Sequence, residues 1–390
     1  MTVLENSAKN VLKEAYKNNN LCLYLGAGVS IGSGLPSWEK LVLSLFFLKT
    51  ADQKLKGWRP FPNYLYAISE WYLKNLDEPL EIIARKIQHL FPTGDQGENE
   101  FYLSLYRALY GKYLKNNYKE NLSIDNGKII ANNPTLEAIA KIISKTIISG
   151  KGIKSIITYN YDNLVEIVVN DSKLQPIYDN CSLDDEKIPL YHVHGYIPFD
   201  QEKGRSDVKS IIFTEDQYHS LSQDLYSWTN LVQIANLSQS VGLMIGLSLS
   251  DRNMRRLLDA IKKTPIRNKN YAILKKPQKE RPSLNIVDKI HQKAISILDQ
   301  FPGGGVKSNQ PFQEEVLSKE GGEFNEIIDI LLEGGIKSNS RYQVEISGII
   351  SAIESLSIEV NEMVLSELGI TPIWIEEYAD IPIIIDNILT

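Results

Sequence analysis

Leu21-Cys22-Leu23-Tyr24-Leu25-Gly26-Ala27-Gly28-Val29-Ser30 is the stretch that decides the fold. Five apolar residues with no polar alternation, halted by glycine, read as a parallel strand buried on both faces. The glycines open a loop that runs through Ile31-Gly32-Ser33-Gly34-Leu35-Pro36, and Ser37 can cap a helix from Trp38 to about Lys49. Upstream, Ser7–Asn19 mixes Lys, Asn and Glu with Val11, Leu12 and Ala15, the pattern of a surface helix. The chain therefore begins as an open α/β sheet begins: strand, glycine loop, helix.

Downstream the pattern is interrupted and then resumes. From Ala51 to about Gly150 it is helical and aromatic, with Trp58, Tyr64, Tyr66, Trp71, Tyr72, Tyr102, Tyr106 and Tyr110, and a second strand arrives only at Ile153–Thr158. That gap is too long for one crossover, which predicts a helical module inserted after the first βα unit. Strands are then expected at Leu190–Val193, Ser210–Thr214, Val241–Gly246, Asn270–Leu274 and Ile370–Glu376. Helices are expected at Asp162–Asn170, Glu215–Leu221, Tyr226–Ser240, Asp251–Lys263, Ser357–Leu368 and Asp380–Leu389. Such alternation predicts an α/β fold: a Rossmann-like, mostly parallel sheet flanked by helices. Between Pro277 and Glu354 lie three glycine clusters and a short duplication, Gly304-Gly305-Val306-Lys307-Ser308-Asn309 against Gly334-Gly335-Ile336-Lys337-Ser338-Asn339. Two copies are too few for a solenoid, so this segment reads as an appended assembly or partner surface, or as a tolerated surface insertion.

Composition excludes several function classes. The 390 residues are 43% hydrophobic and 23% charged, enough apolar material for a large core and too much for wholesale disorder. A net charge of −6 argues against a surface that grips nucleic acid everywhere. Lys262–Arg281 reverses the balance locally, with eight basic residues against Glu280, and reads as a solvated face or as a contact for an acidic partner or nucleic acid. No apolar run approaches the roughly 20 residues that span a bilayer, and no secretory signal is visible, so the expectation is no membrane and a cytoplasmic location. Cys22 and Cys181 are far apart, which excludes a four-cysteine zinc site and a disulfide framework; no metal is expected.

The residues that could carry chemistry gather at strand ends. Glycines after a strand permit close approach of a phosphate, although a packing turn explains them equally. The acidic ribose ligand of a standard dinucleotide fingerprint is missing from Leu41–Thr50, and no GxxxxGK occurs, so an ordinary dehydrogenase and a nucleoside triphosphatase are both disfavoured. Thr158-Tyr159-Asn160-Tyr161-Asp162-Asn163 puts carboxamide and carboxylate where open α/β sheets bind ligands, with an Asx turn capping the next helix as the alternative. Tyr191-His192-Val193-His194-Gly195 places two histidines at positions that share one strand face, with His194 able to act as acid or base and His192 buried and hydrogen-bonded. Gly246-Leu247-Ser248-Leu249-Ser250-Asp251 repeats the theme, with Ser250 or Asp251 as a helix cap.

Taken together, Gly26-Ala27-Gly28-Val29-Ser30 with Ser33-Gly34-Leu35-Pro36, Thr158-Tyr159-Asn160-Tyr161-Asp162, Val193-His194-Gly195 and Gly246-Leu247-Ser248 resemble the sirtuin family in its prokaryotic sirtuin-like branch. The resemblance implies that Gly26, Ala27, Gly28 and Ser30 line the NAD pyrophosphate and adjoining ribose, with Gly246 and Ser248 on the adenosine side. Asn160 and Asp162 would then sit by the nicotinamide ribose, and His194 would be the catalytic base. The protein deacylases of the family carry a zinc ribbon with paired cysteines, an acidic-aromatic-arginine segment after the glycine loop and a glutamine before the asparagine. Here Pro36 leads into Ser37-Trp38-Glu39, Tyr159 precedes Asn160, and no cysteine pair exists. The branch resembled is that of anti-phage defence proteins, which hydrolyse NAD to nicotinamide and ADP-ribose in the infected cell. Within it the chain looks most like the subunit that assembles with a HerA-type ATPase/helicase, which implies abortive infection and a homo-oligomer, with no cofactor beyond NAD as substrate. The rival readings are an NAD-sensing or assembly module without turnover and an NAD-dependent protein deacylase. The expected organisation is 1–50, 151–276 and 355–390 as parts of one sirtuin-like domain, with 51–150 a helical module and 277–354 a C-terminal insertion.

Overall fold

The computed structural model describes residues 3–54, 76, 78–111, 132–179, 181–200, 210–263, 269–276 and 355–389. It divides into one unit of Met1–Lys276 with Glu362–Thr390 and a second of Pro277–Asn361. The glycine clusters and the duplication lie outside the described residues, as do Trp58–Tyr72 and much of the basic run.

Among the described residues of the first unit, seven strands form one parallel sheet: β1 (Leu21–Leu25), β2 (Ile153–Thr158), β3 (Leu174–Ile177), β4 (Ile188–His192), β5 (Val241–Ile245), β6 (Asn270–Lys275) and β7 (Ile370–Ile375). Their order is β3-β4-β2-β1-β5-β6-β7, and every pairing is parallel. The fold is a Rossmann-like α/β sheet flanked by helices. β1 lies between β2 and β5, the point where the winding direction reverses and where open α/β sheets form their crevice.

Side chains alternate across β1, so its residues seed two cores. Leu21, Leu23 and Leu25 face one cluster, and Cys22 and Tyr24 face the other. The first is filled by α1 (Val3–Lys17), α3 (Trp38–Lys54), α4 (Leu80–Gln88), α5 (Asp95–Tyr110), α6 (Pro134–Ser149) and α11 (Ile381–Leu389). The second is filled by α9 (Trp228–Gln239) and α10 (Arg252–Lys262). α4, α5 and α6 all come from the aromatic stretch between the first two strands, and they share their core with the sheet.

Tyr106 and Tyr110 on α5 donate to the carbonyls of Phe199 and Ile197 at 2.8 and 2.7 Å, bracing the loop that follows His194. Asn133 does similar work on the other side. Its Oδ1 accepts from the Leu136 amide at 3.1 Å, capping α6, while Nδ2 donates to the Val29 carbonyl at 2.7 Å and Ser33 Oγ at 2.9 Å. Because Asn133 is buried, Asn133→Ala removes a cap and the bonds to Val29 and Ser33, an expected loss of about 2–3 kcal/mol in urea unfolding. A loss below about 0.5 kcal/mol would mean that solvent satisfies those groups.

Two expectations need correction. Ser210–Thr214 is no strand: Ile212 donates to the His194 carbonyl at 2.9 Å, Phe213 donates to Gln217 Oε1 at 2.9 Å, and Tyr161 donates to the Ile212 carbonyl at 2.6 Å. Ile211 and Phe213 are buried, so the apolar pattern reports burial correctly, but side chains and a single carbonyl replace a ladder. Conversely, Leu174–Ile177 is an unanticipated strand. Pro176 argues against a central strand, and β3 is the sheet edge, where a missing N–H is tolerated. The glycine loop also contains one short helix, α2 (Ala27–Ile31).

Candidate active site

The C-terminal ends of β1, β2, β4 and β5 carry the residues singled out from the sequence. The β1 and β5 loops meet through their backbones. Gly26 donates to the Ile245 carbonyl at 3.0 Å, and Gly28 to the Gly246 carbonyl at 2.9 Å. A Cβ on Gly26 would lie 2.5 Å from the Gly246 carbonyl oxygen, and one on Gly28 would lie 2.7 Å from Gly246 Cα. These glycines are therefore required by loop-on-loop contact, and their own amides are spent on β5. The part of the loop open to solvent is at Ala27, half-buried, and Gly28, exposed. Ser248 is exposed too, its Oγ 2.6 Å from Ser250 Oγ.

The β1 and β2 ends are joined by side chains. Asn160 Nδ2 donates to the Gly26 carbonyl at 3.0 Å and to Ser30 Oγ at 3.1 Å. Ser30 Oγ in turn donates to Asp162 Oδ2 at 2.8 Å, and Asp162 Oδ1 accepts from the Leu164 amide at 3.1 Å. Ser30, Asn160 and Asp162 thus form one polar chain, with Asp162 buried at its inner end and also turning the backbone into α7 (Leu164–Val169).

Burial pushes the Asp162 carboxyl up to about 6, against the bonds from Ser30 and Leu164 that lower it. A carboxyl raised in the folded state stabilises the fold when protonated, below about pH 4, and that contribution is lost as pH rises to about 6. Asp162→Asn has no such loss. Its stability relative to the parent is expected to improve by about 2–3 kcal/mol between pH 4 and 7, read by urea unfolding at each pH. A difference that does not change with pH would show that the carboxylate is solvated in the folded protein.

The two histidines do not share a face. β4 ends at His192, and a turn closed by Gly195 N–H to the His192 carbonyl takes over, so the two-residue pleat period stops before His194. His192 is buried and hydrogen-bonded: Nε2 lies 2.9 Å from Glu166 Oε1 on α7, and Nδ1 lies 3.3 Å from the Asn160 carbonyl. It positions the asparagine from behind.

His194 instead reaches the other side. Its ring stands edge-on to Tyr159 at 5.0 Å and to Tyr218 of α8 (Glu215–Gln223) at 5.7 Å. Burial holds its imidazole below the usual histidine range, an effect that Asp251 opposes, so the neutral form dominates at pH 7. Tyr159 meets His194 while the next residue, Asn160, meets the glycine loop, so the end of β2 separates the two groups by one residue. Among the described residues no cluster of three or more His, Cys, Asp or Glu could hold a metal ion, and no helix is long and apolar enough to cross a membrane.

Glu166 and Tyr218 escape motif reading. Asp251 reads as a helix cap at the ligand-binding edge, and the cap is there: Oδ1 accepts from the Met254 amide at 2.7 Å.

Residues 154–295 match the family model of the SIR2-like domain. That span includes Asn160, Asp162, His194, Gly246 and Ser248, but not the glycine loop after β1. The chain is also 23% identical over 284 residues to the NAD(+) hydrolase ThsA of Enterococcus faecium, a similarity covering 70% of this chain and 46% of the relative. The chain thus spans about half the length of the curated relative it matches. The two similarities are thus to a SIR2-like domain over the second part of the sheet and to an NAD(+) hydrolase over most of the chain.

Proposed function

We propose that this protein hydrolyses NAD to nicotinamide and ADP-ribose. The observation that carries the reading is the pairing of a buried, neutral His194 with the Ser30–Asn160–Asp162 chain at the reversal point of the sheet. Similarity to an NAD(+) hydrolase supports it. The strand-end segments that carry Gly26, Ala27, Gly28, Ser30, Gly246 and Ser248 would hold the dinucleotide. Asn160 would orient the ribose or the attacking water, and Asp162 would favour positive charge developing at C1′. His194 takes one proton from water as its oxygen bonds to C1′ and the electron pair of the C–N bond leaves with nicotinamide.

The biological setting follows from the resemblance: anti-phage defence by NAD depletion, in an assembly of several copies with a HerA-type ATPase. In the same reading 51–150 is a helical module and 277–354 a partner-binding insertion within one sirtuin-like domain. Nicotinamide release from NAD by the purified chain, with and without such an ATPase, is the test. NAD-induced thermal stabilisation with no nicotinamide released under either condition would favour a sensing module. Consumption of NAD only with an acylated peptide would favour a deacylase.

A further inference from the structure

We propose that Asp251 is the positioning residue of the catalytic histidine, holding a proton on His194 Nε2 so that Nδ1 is the basic nitrogen. The inference rests on the hydrolase reading above, and it begins with a buried nitrogen that has no hydrogen bond. His194 is 5% exposed, and its Nε2 makes no hydrogen bond within the protein. The nearest charged atom is Asp251 Oδ2, at 3.5 Å: within range for attraction, long for a bond. Contacts of this kind between acid, base and orienting group often tighten only when substrate is bound.

Asp251 is held in place independently of the histidine. Its Oδ1 is engaged by the Met254 amide as the cap of α10, which leaves Oδ2 directed at the imidazole. The groups around the ring are Tyr159 from the end of β2, Tyr218 from α8 and Asp251 at the start of α10; Tyr161 and Glu81 lie farther out, acting on Asp251 and Tyr218. Asp251 is the anion paired with this imidazole. A carboxylate accepts and cannot donate, so it selects the tautomer with hydrogen on Nε2 and leaves the lone pair on Nδ1. When Nδ1 takes the proton from water, the same carboxylate stabilises the imidazolium. This is the role a buried aspartate plays beside the histidine of hydrolase triads.

Asp251→Asn separates this role from a structural one. Asparagine caps helices as well as aspartate, so α10 and the fold are retained. With Oδ1 occupied by the Met254 amide, the Nδ2 hydrogens face His194 and favour the opposite tautomer, with the lone pair wasted on Nε2. The expected result is a fall in kcat of about 10²–10⁴-fold, with KM for NAD changed less than about threefold. The acid limb of the pH–rate profile should also move to lower pH, since the carboxylate that raises the imidazole pKa is gone.

Nitrogen-15 NMR of the histidines, assigned with His194→Ala, reads the tautomer directly. The parent should carry hydrogen on Nε2 and Asp251→Asn on Nδ1. Hydrogen on Nδ1 of the parent would overturn the proposal, and this measurement needs neither turnover nor a folded Asp251 variant. Wild-type kcat in Asp251→Asn alongside an inactive His194→Ala would also overturn it while leaving the hydrolase reading intact. If the parent releases no nicotinamide, the hydrolase reading fails, and the tautomer still decides the pairing.

Discussion

His194→Ala is expected to lower nicotinamide release by about 10²–10⁴-fold, the usual range for removal of a positioned general base. The protein should remain folded, because the lost side chain leaves no hydrogen-bonding partner behind at Nε2 and the rings of Tyr159 and Tyr218 border the space. Circular dichroism and NAD-induced thermal stabilisation, both retained, would show that the loss lies in chemistry. The pH dependence carries a sign of its own. Burial lowers the imidazole pKa, so the base is deprotonated above an acid limb lying below pH 6.5, and activity should be flat from there to pH 8. Asn160→Ala should be impaired as strongly, since it removes the link from β2 to the glycine loop at Gly26 and Ser30. Full turnover in His194→Ala would remove histidine from the mechanism.

The largest stability effect is expected at Gly246. Its φ of +68° lies in the left-handed region, and a Cβ there would sit 2.6 Å from the Val29 amide nitrogen and 2.9 Å from Gly28 Cα. Gly150 supplies an internal control, for its φ is also +68° yet a Cβ would meet nothing within 4 Å. Gly150→Ala carries only the left-handed cost, about 1–2 kcal/mol. Gly246→Ala adds displacement of backbone by backbone, a further 1–3 kcal/mol or so, and with it opens the β1–β5 crevice. Urea unfolding of the two variants separates the terms. Equal losses would mean that the glycine is there for its dihedral angle alone.

These two residues also show how much was legible in the sequence. Apolar runs without alternation are a property of strands buried on both faces, and β1 and β5 were readable for that reason. Period-2 reasoning failed where the chain stopped being extended: the turn after His192 sent His194 to the opposite side of the sheet. It failed again at Ser210–Thr214, which is apolar and buried but satisfies its backbone through Gln217, Tyr161 and the His194 carbonyl. Leu174–Ile177 went unread because a proline-bearing edge strand has little pattern to show.

Local chemistry, then, is what the sequence by itself determined: where the buried strands β1 and β5 and the helices around them run, and that Gly26, Ser30, Asn160, Asp162, His194 and Gly246 follow or end strands. Those features depend on neighbours along the chain. Partnership was decided only by the tertiary structure. That Gly28 is a glycine because of Gly246, and that Ser30 hands its hydrogen to Asp162, depends on contacts between residues more than a hundred positions apart. Asp251 makes the same point within one residue. Its cap on α10 is a local bond that motif reading finds, whereas its second oxygen meets His194 only because β4 and β5 end on the same edge of the sheet.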